Sequence, residues 1–388
     1  MHKLLSVGLL SIMLALPAAA QQVVKIGYVT SLSGPLASIG NDMRDGFELA
    51  LDHKKRMLGG VKAEVVYADD QMRPDIAKQV TDKLIEVDKV DFLSGYPVAN
   101  VLLASMKSAA DAKTFLFGNN AGPSQLAGEQ CSPWFFSTAF ETSQKMLAMG
   151  QLLNRKGVKR LFVLAPNYVA GKEMVAGIKQ TFKGEVIGEE YTRWPSQLDF
   201  SGELTKIRAA SPDAVWVFYG GIYGVQFFNQ YAQAGLLGKI PIYSNYALDA
   251  LTLPLIGDNA LGALSTETWV QDLDNPTNKR FVEDFRKKYG RTPSLYAAQA
   301  YDGALLIDSA VAAVKGSLAN KDALRNALRK ADFESTRGRL QYGNNHFLIQ
   351  NIYVMEVVKA ADGALGFRTV ENIAPHHQDI FHAKCPMT

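Results

Sequence analysis

The feature that most constrains this chain is an alternation that begins at Val23 and then repeats. Short apolar runs bounded by Gly, Pro, Asn or Asp are followed by longer segments whose apolar residues recur every three or four positions. A strand that is apolar on both faces must be covered on both, and helices placed between successive strands do this by closing βαβ units over a parallel sheet. Val24–Val29 (VKIGYV) reads as a first strand, followed by the loop Thr30–Gly40 and a helix with Met43, Phe47, Ala50 and Leu51 on one face. Ala63–Tyr67 is a second strand ending at Asp69-Asp70, and Pro74, a first-turn proline, opens a helix with Ile76, Val80 and Leu84 inward. Asp91–Ser94 and Thr114–Phe117 supply two more strands, joined by a helix that presents Val101, Leu102, Met106 and Ala109.

The pattern restarts with helix Thr142–Lys156, strand Arg160–Ala165, helix Gly171–Phe182, strand Val186–Tyr191, helix Leu204–Ala210, strand Ala214–Tyr219 and helix Gly224–Ala234. Strands at Pro241–Tyr243 and near Ala263–Thr268 follow, so two doubly wound α/β units are implied. The last third carries helices Asn278–Tyr289, Tyr296 to about Val314 and Lys321–Ala331, with one strand, Gln350–Val358. It is too poor in strands for a third sheet and is expected to complete the first two. The chain then crosses between units more than once.

A length of 388 residues accommodates two cores of ordinary domain size. The formal charge of +3, or +2 once Lys3 leaves with a leader, is far from the basic excess of a nucleic-acid-binding surface. Met1–Ala20 has a basic start, an apolar run and Ala18-Ala19-Ala20 before Gln21, the pattern of a secretory signal peptide cleaved after Ala20. No Cys follows that point to carry a lipid, and no later run is long enough to span a bilayer, so a soluble product in a periplasm-like compartment is expected. Cys131 and Cys385 are the only cysteines, and in an oxidising compartment such a pair is expected to form a disulfide tying the C-terminal tail back to the first half.

Two turns stand out chemically. The first turn of the helix at Val98-Ala99-Asn100 carries amide N–H groups without intrahelical partners and the positive end of the helix dipole, which suits an anion. The turn Gly118–Gly122 (GNNAG) follows the next strand, and in a parallel sheet both turns open at the same carboxyl edge. Taken alone, both also read as ordinary strand-to-helix turns.

Taken in order, the segments VVKIGYVTSLSGPLASIG, YADDQ, FLSGYPVAN, FGNNAG, NYVAGKE, DFSGELTKI, AVWVFYGG and PSLYAAQAYDG resemble the solute-binding proteins of branched-chain amino acid type ABC importers over nearly the whole mature length. The resemblance implies the type I periplasmic-binding, or Venus flytrap, fold: α/β, two lobes, each a doubly wound mostly parallel sheet. It implies residues 21–138 with 271–346 in the N-terminal lobe and 139–270 with 347–388 in the C-terminal lobe, its tail returning to the first. Crossovers fall near Phe136–Glu141, Thr268–Asp272 and Asn345–Ile349. The implied partners are a small-molecule carboxylate ligand and an inner-membrane permease, with no cofactor, no metal and no nucleic acid, and the chain is expected to act as a monomer.

Family binding positions fall on Ala99-Asn100 and Asn120, Ala121 and Gly122 for a ligand carboxylate, on Tyr168, Ile222, Tyr223 and Tyr296 for packing, and on Ser38-Ile39 in the first loop. The departure lies at Asn245-Tyr246. Amino-acid-binding members place an acid near here against the ligand ammonium, whereas SNYALD offers Asn245, Tyr246 and, further on, Asp249. A serine is also missing from PVAN, where Asn100 would substitute. Burying an ammonium without a carboxylate costs several kcal/mol, of order 3–5. Tyr168, Tyr223, Tyr246 and Tyr296 instead suit a ring. The reading is an aromatic carboxylate such as a benzoate or hydroxycinnamate. A branched-chain or other aliphatic amino acid is the alternative, and a sensor module is a third.

Other features read more blandly. Asp69-Asp70 is expected to be a solvated strand end rather than an acid–base pair, and His376-His377 with His382 a surface tail whose spacing fits no common zinc pattern. Trp194 and Arg193 are candidates for the cleft edge. No Gly-x-Ser-x-Gly elbow, Walker loop or His-Glu-x-x-His motif occurs, and no catalytic residue is assigned.

Overall fold

A computed structural model describes residues 23–360 and 363–387, so the expected leader over Met1–Ala20 lies outside the described residues. The first repeat of the alternation builds β1 (Val23–Thr30), α1 (Ala37–His53), β2 (Met57–Leu58), β3 (Val61–Asp69), α2 (Pro74–Glu86), β4 (Phe92–Gly95), α3 (Ala99–Asp111), β5 (Phe115–Gly118), α4 (Ser124–Ala127) and β6 (Phe135–Ser137). They form one sheet in the order β2-β3-β1-β4-β5-β6. β1 lies parallel between β3 and β4, with Tyr28 opposite both Tyr67 and Ser94.

The second repeat builds α5 (Gln144–Arg155), β7 (Arg160–Pro166), α6 (Val169–Thr181), β8 (Glu185–Thr192), α7 (Ser201–Ala210), β9 (Ala214–Phe218), α8 (Ile222–Gln233), β10 (Ile242–Asn245), α9 (Leu253–Ile256) and β11 (Leu264–Glu267). Its parallel strands run β8-β7-β9-β10-β11. In both sheets the first strand sits between the next two parallel strands, β1 between β3 and β4 and β7 between β8 and β9. Chains leaving the two neighbouring strands therefore diverge, and a crevice opens at the carboxyl edge.

The last third divides as its composition requires. Helices α10 (Pro276–Tyr289), α11 (Leu295–Ala313) and α12 (Lys321–Lys330) return to the first unit, where α11 lies along α1. The short pair β12 (Glu334–Ser335) and β13 (Gly338–Arg339) leads to β14 (Gln341–Tyr342), β15 (Leu348–Lys359) and β16 (Leu365–His377), which extend the second sheet. β15 runs antiparallel to β11, and β16 pairs antiparallel with β15 at the edge. The sequence reading missed β16 because its polar and charged residues break the apolar run. An edge strand tolerates them, and it also tolerates Pro375. His376 and His377 end this strand, the first exposed and the second half-buried. No helix among the described residues is long and apolar enough to cross a membrane.

The two units are α/β lobes, and the segments joining them are cross-linked where they run together. Arg337, buried against Asp302 of α11 at 2.9 Å, donates to the carbonyls of Thr138 (2.6 Å) and Ala139 (3.3 Å) and to Gln350 Oε1 (3.0 Å). Gln350 Nε2 donates to Ala139 O (2.8 Å), and Gln144 Nε2 to the carbonyls of Leu348 and His377 (both 3.2 Å). Backbone groups of irregular connecting chain are thereby satisfied away from water, which buried loops require.

Asp70 departs from the expectation of a solvated strand end. It is fully buried, accepting from Ser31 Oγ (2.6 Å) and Met72 N (2.8 Å), while Asp69 accepts from Leu32 N (2.9 Å) and Ser33 Oγ (2.6 Å). The two carboxylates pin the loop between β1 and α1.

Cys131 and Cys385 are joined in a disulfide that closes a loop across 254 positions and holds the tail to the segment after α4. Closing so long a loop removes much of the freedom of the unfolded chain. A Cys131→Ser/Cys385→Ser variant is expected to lose about 2–4 kcal/mol in urea unfolding relative to the oxidised protein, and reductant is expected to lower the melting temperature of the wild type but not of the variant.

Candidate ligand-binding site

The carboxyl edges of the two sheets face one another, and the loops leaving them line one cavity with about 560 Å³ of space not filled by atoms, part of it open to solvent. The loop after β1 contributes Leu36 and the first turn of α1 Ile39, the loop after β4 Pro97 and Val98, and that after β5 Asn120, Ala121 and Gly122. The opposite wall comes from Pro166 and Tyr168 after β7, Trp194 after β8, Phe218 and Gly220 at the end of β9, and Tyr246 after β10. Ala99 at the start of α3 and Tyr296 at the start of α11 complete the first wall.

One corner is built from main-chain donors. The residue before α3, Val98, is extended, and no side chain caps the helix. The first backbone bond there is Leu102 N to Val98 O (3.0 Å), so the amides of Ala99, Asn100 and Val101 have no partner among the described residues. The neighbouring turn is tied to it by Asn120 Nδ2 donating to Pro97 O (2.7 Å) and Ala121 N to Tyr96 O (3.2 Å). Gly122 passes so close under the first crossover that an added Cβ would lie 1.7 Å from Phe140 O, and its carbonyl accepts from Thr142 N (2.8 Å) and Oγ1 (2.7 Å). Only glycine fits there. Asn120 Oδ1 is buried without a partner. As an acceptor it suits a ligand hydroxyl or a bridging water, not a carboxylate oxygen.

The rest of the wall is aromatic. Trp194 stacks on Tyr168 (centroids 4.8 Å, planes 14° apart), and Tyr168, Phe218, Tyr246 and Tyr296 continue in sequence at 6.0, 5.0 and 6.2 Å. Phe140 flanks Tyr246 at 6.1 Å. No Asp, Glu, Lys, Arg or His lines the cavity. The nearest buried pair stands behind Tyr246: Lys145 Nζ lies 3.9 Å from its ring centroid and is neutralised by Glu267 at 2.7 Å.

The lobes are in contact around this space. Gly221, at φ 56° before α8, lets the second lobe approach the first loop, where an added Cβ would stand 3.3 Å from both Leu36 Cδ2 and Pro35 O. Glu173 of α6 reaches across to α4, accepting from Ser124 N (3.0 Å) and Ser124 Oγ (2.5 Å).

Of the residues singled out in the sequence, Ile39, Ala99, Asn120, Ala121, Gly122, Tyr168, Tyr246 and Tyr296 are brought together around the cavity. Ser38 is exposed in the first turn of α1, outside the lining, where Leu36 and Ile39 stand on either side of it in sequence. Asn100, Ile222 and Tyr223 also lie outside the lining; Tyr223 hydrogen-bonds Pro195 O and packs on Trp194 at 5.2 Å, supporting the wall from behind. Phe218, Phe140 and Met174 were not singled out. Phe218 had a signal, standing at the carboxyl end of the AVWVFY strand. Phe140, on a crossover, had none.

Two α/β lobes that close their strand ends over an uncharged, partly aromatic cavity define a bilobed solute-trapping protein, with no catalytic constellation in the cleft. The chain belongs to the periplasmic binding protein family, whose profile matches residues 23–364. It is 29% identical over 376 residues to a Brucella melitensis protein named Leu/Ile/Val-binding protein homolog 6, covering 94% of this chain and 95% of that one. Among solved structures, it is similar to the solute-binding protein of an R. palustris ABC transporter in complex with benzoate, at 30% identity and a TM-score of 0.89, covering 94% of this chain and all of the other. A solute-binding protein from Rhodopseudomonas palustris BisB5 in complex with 3,4-dihydroxybenzoic acid matches at 28% identity and a TM-score of 0.84, over 91% and 98% of the two chains. The protein is a solute-binding protein and not an enzyme.

Glu141, on the first crossover beside the cavity wall, is fully buried. Burial, with the nearby charges of Glu173 and Asp379, pushes its carboxyl up to about 8 from an ordinary 4.5, against the lowering effect of hydrogen bonds from Ser143. A carboxyl whose pKa is raised on folding holds its proton more tightly in the folded state, so its contribution is complete below about pH 4.5 and is lost as pH rises through about 8. The melting temperature is expected to fall between pH 5 and pH 8.5, and to fall less steeply in Glu141→Gln. Parallel curves for the two proteins would refute this assignment.

Proposed function

We propose that the protein is the solute-binding component of an ABC importer that captures a small aromatic carboxylate, a benzoate or hydroxycinnamate, and presents it to an inner-membrane permease. The observation that carries the reading is the cavity's inventory among the described residues: Ala99, whose amide begins a run of partnerless helix-start donors, at one corner, rings around the rest, and no acidic side chain in the lining. Main-chain N–H groups at a helix start stabilise a carboxylate without a counter-charge. The aromatic faces pack the ring. The two R. palustris proteins described above, solved with benzoate and with 3,4-dihydroxybenzoic acid, support the same class.

A branched-chain amino acid is the second reading, favoured by the name of the Brucella relative. It requires an ammonium to be buried with no carboxylate in the lining, which weighs against it. A ligand-sensing role would use the same cleft.

The proposed contacts are Ile39, Ala99, Asn120, Ala121, Gly122, Tyr168, Tyr246 and Tyr296. The proposed lobes are residues 21–138 with 271–346 and 139–270 with 347–388, hinged at the cross-linked segments. A ligand touching both lobes favours the closed state by its differential affinity for it. The contact of Glu173 with Ser124 then acts as a latch at the mouth. Export through a leader ending at Ala20, residence in the periplasm and a monomeric state belong to the same proposal.

Titration calorimetry is expected to show benzoates or hydroxycinnamates binding at about micromolar strength, near −8 kcal/mol, with compaction in small-angle scattering on loading. Tyr168→Ala should weaken binding by about tenfold, the worth of a good aromatic contact. Tight leucine binding with none for aromatic acids would reverse the ranking.

A further inference from the structure

Behind Tyr246 and Tyr296 lies a second cavity, with about 410 Å³ of space not filled by atoms. Both tyrosines line both cavities, so the two cavities adjoin at these residues. On the far side stand Asp249, Glu267, Trp269, Met355 and Phe367.

The polar groups here are unequally satisfied. Glu267 is used up by Lys145 Nζ (2.7 Å) and Ser265 Oγ (3.1 Å). Asp249 is 8% exposed; its Oδ1 accepts from Leu251 N (2.6 Å) and Thr252 N (3.1 Å), while its Oδ2 is buried without a partner. The hydroxyl of Tyr296, buried where the two cavities adjoin, is also without a partner. Each such group costs free energy that a bound partner would recover.

Resting on the proposed aromatic-acid reading, we propose that this second cavity is the distal part of the ligand site. There Asp249 and the Tyr296 hydroxyl together bind a hydroxyl at the end of the ligand remote from its carboxylate. A hydroxyl suits this pair because it donates and accepts at once, donating to Asp249 Oδ2 while accepting from Tyr296. Burial pushes the Asp249 carboxyl up to about 7, and a hydroxyl serves either of its protonation states. A ligand ammonium would compete for the same place, and 4-(aminomethyl)benzoate tests for it below. Asp249 is thereby a specificity-determining residue, selecting hydroxylated aromatic acids over unsubstituted ones.

The test compares benzoate, 4-hydroxybenzoate and 4-(aminomethyl)benzoate by calorimetry on the full mature chain, in the wild type and in Asp249→Asn and Asp249→Ala. Asp249→Asn keeps an oxygen for the Leu251 and Thr252 amides, so the turn is retained. The expected result is a preference of about tenfold for 4-hydroxybenzoate over benzoate in the wild type, falling below about twofold in both variants. The ratio within each protein is the readout, and a merely structural role for Asp249 would not move it. A ratio that persists in both variants, a wild-type ratio near one, or tighter binding of 4-(aminomethyl)benzoate than of 4-hydroxybenzoate would overturn the inference while leaving the aromatic-acid reading standing. No binding of any of the three acids to the wild type would overturn both.

Discussion

An amide N–H in the first turn of a helix has no carbonyl of its own helix to meet, and the structure is arranged around that unmet demand. At the start of α3 the amides of Ala99, Asn100 and Val101 face no backbone acceptor, and no side chain caps the helix end. At α10, α11 and α12 such an end is met by the side chains of Asn275, Ser294 and Asn320 at the preceding position. Here that position is Val98, which leaves the donors free for a guest. An anion supplied from outside is the natural complement, drawn by the same dipole that an acidic side chain would otherwise quench.

The fold shapes that corner. Because β1 lies between β3 and β4, and β7 between β8 and β9, loops diverge at both carboxyl edges and leave a crevice in each; opposing the two edges makes one cavity of two crevices. Asp69 and Asp70 fix the loop that carries Leu36 and leads into α1 with Ile39, so this part of the wall is held by charge-assisted hydrogen bonds as well as by packing. Arg337, Gln350 and Gln144 hold the connecting segments side by side. Charges are present nearby but cancelled: Lys145 and Glu267 pair with each other behind Tyr246, and neither belongs to the cavity wall that bears the free amides.

Much of this was legible in the residues. The buried strands AVWVF and RLFVLAP are apolar on both faces, and only a helix-covered parallel sheet accommodates that. The turns Val98–Asn100 and Asn120–Gly122 were visible as strand-to-helix punctuation, and their shared edge follows from topology. The tyrosines were harder. Tyr168, Tyr246 and Tyr296 converge on the cavity, but Tyr223, with the same chemistry, faces the back of Trp194. Each step along a helix turns the side chain by about 100°, so an offset of a single residue points it elsewhere, and the sequence carries no direct record of where that rotation starts. Phe140 was hidden for a different reason: it lies on a crossover with no periodic pattern. β16 was hidden because an edge strand needs neither continuous apolarity nor freedom from proline. Asp70 looked like a solvated end because burial of a carboxylate depends on partners, Ser31 Oγ and Met72 N, that arrive from two different loops.

The most direct test of the central claim is a crystal structure of the protein loaded with an aromatic acid. The account predicts the ligand carboxylate within hydrogen-bonding distance of the amides at Ala99 to Val101 and beside Ala121-Gly122, with its ring between Tyr168 and Tyr246. A ligand whose carboxylate lies against the second lobe, or a zwitterion whose ammonium is held by an acidic side chain, would contradict it.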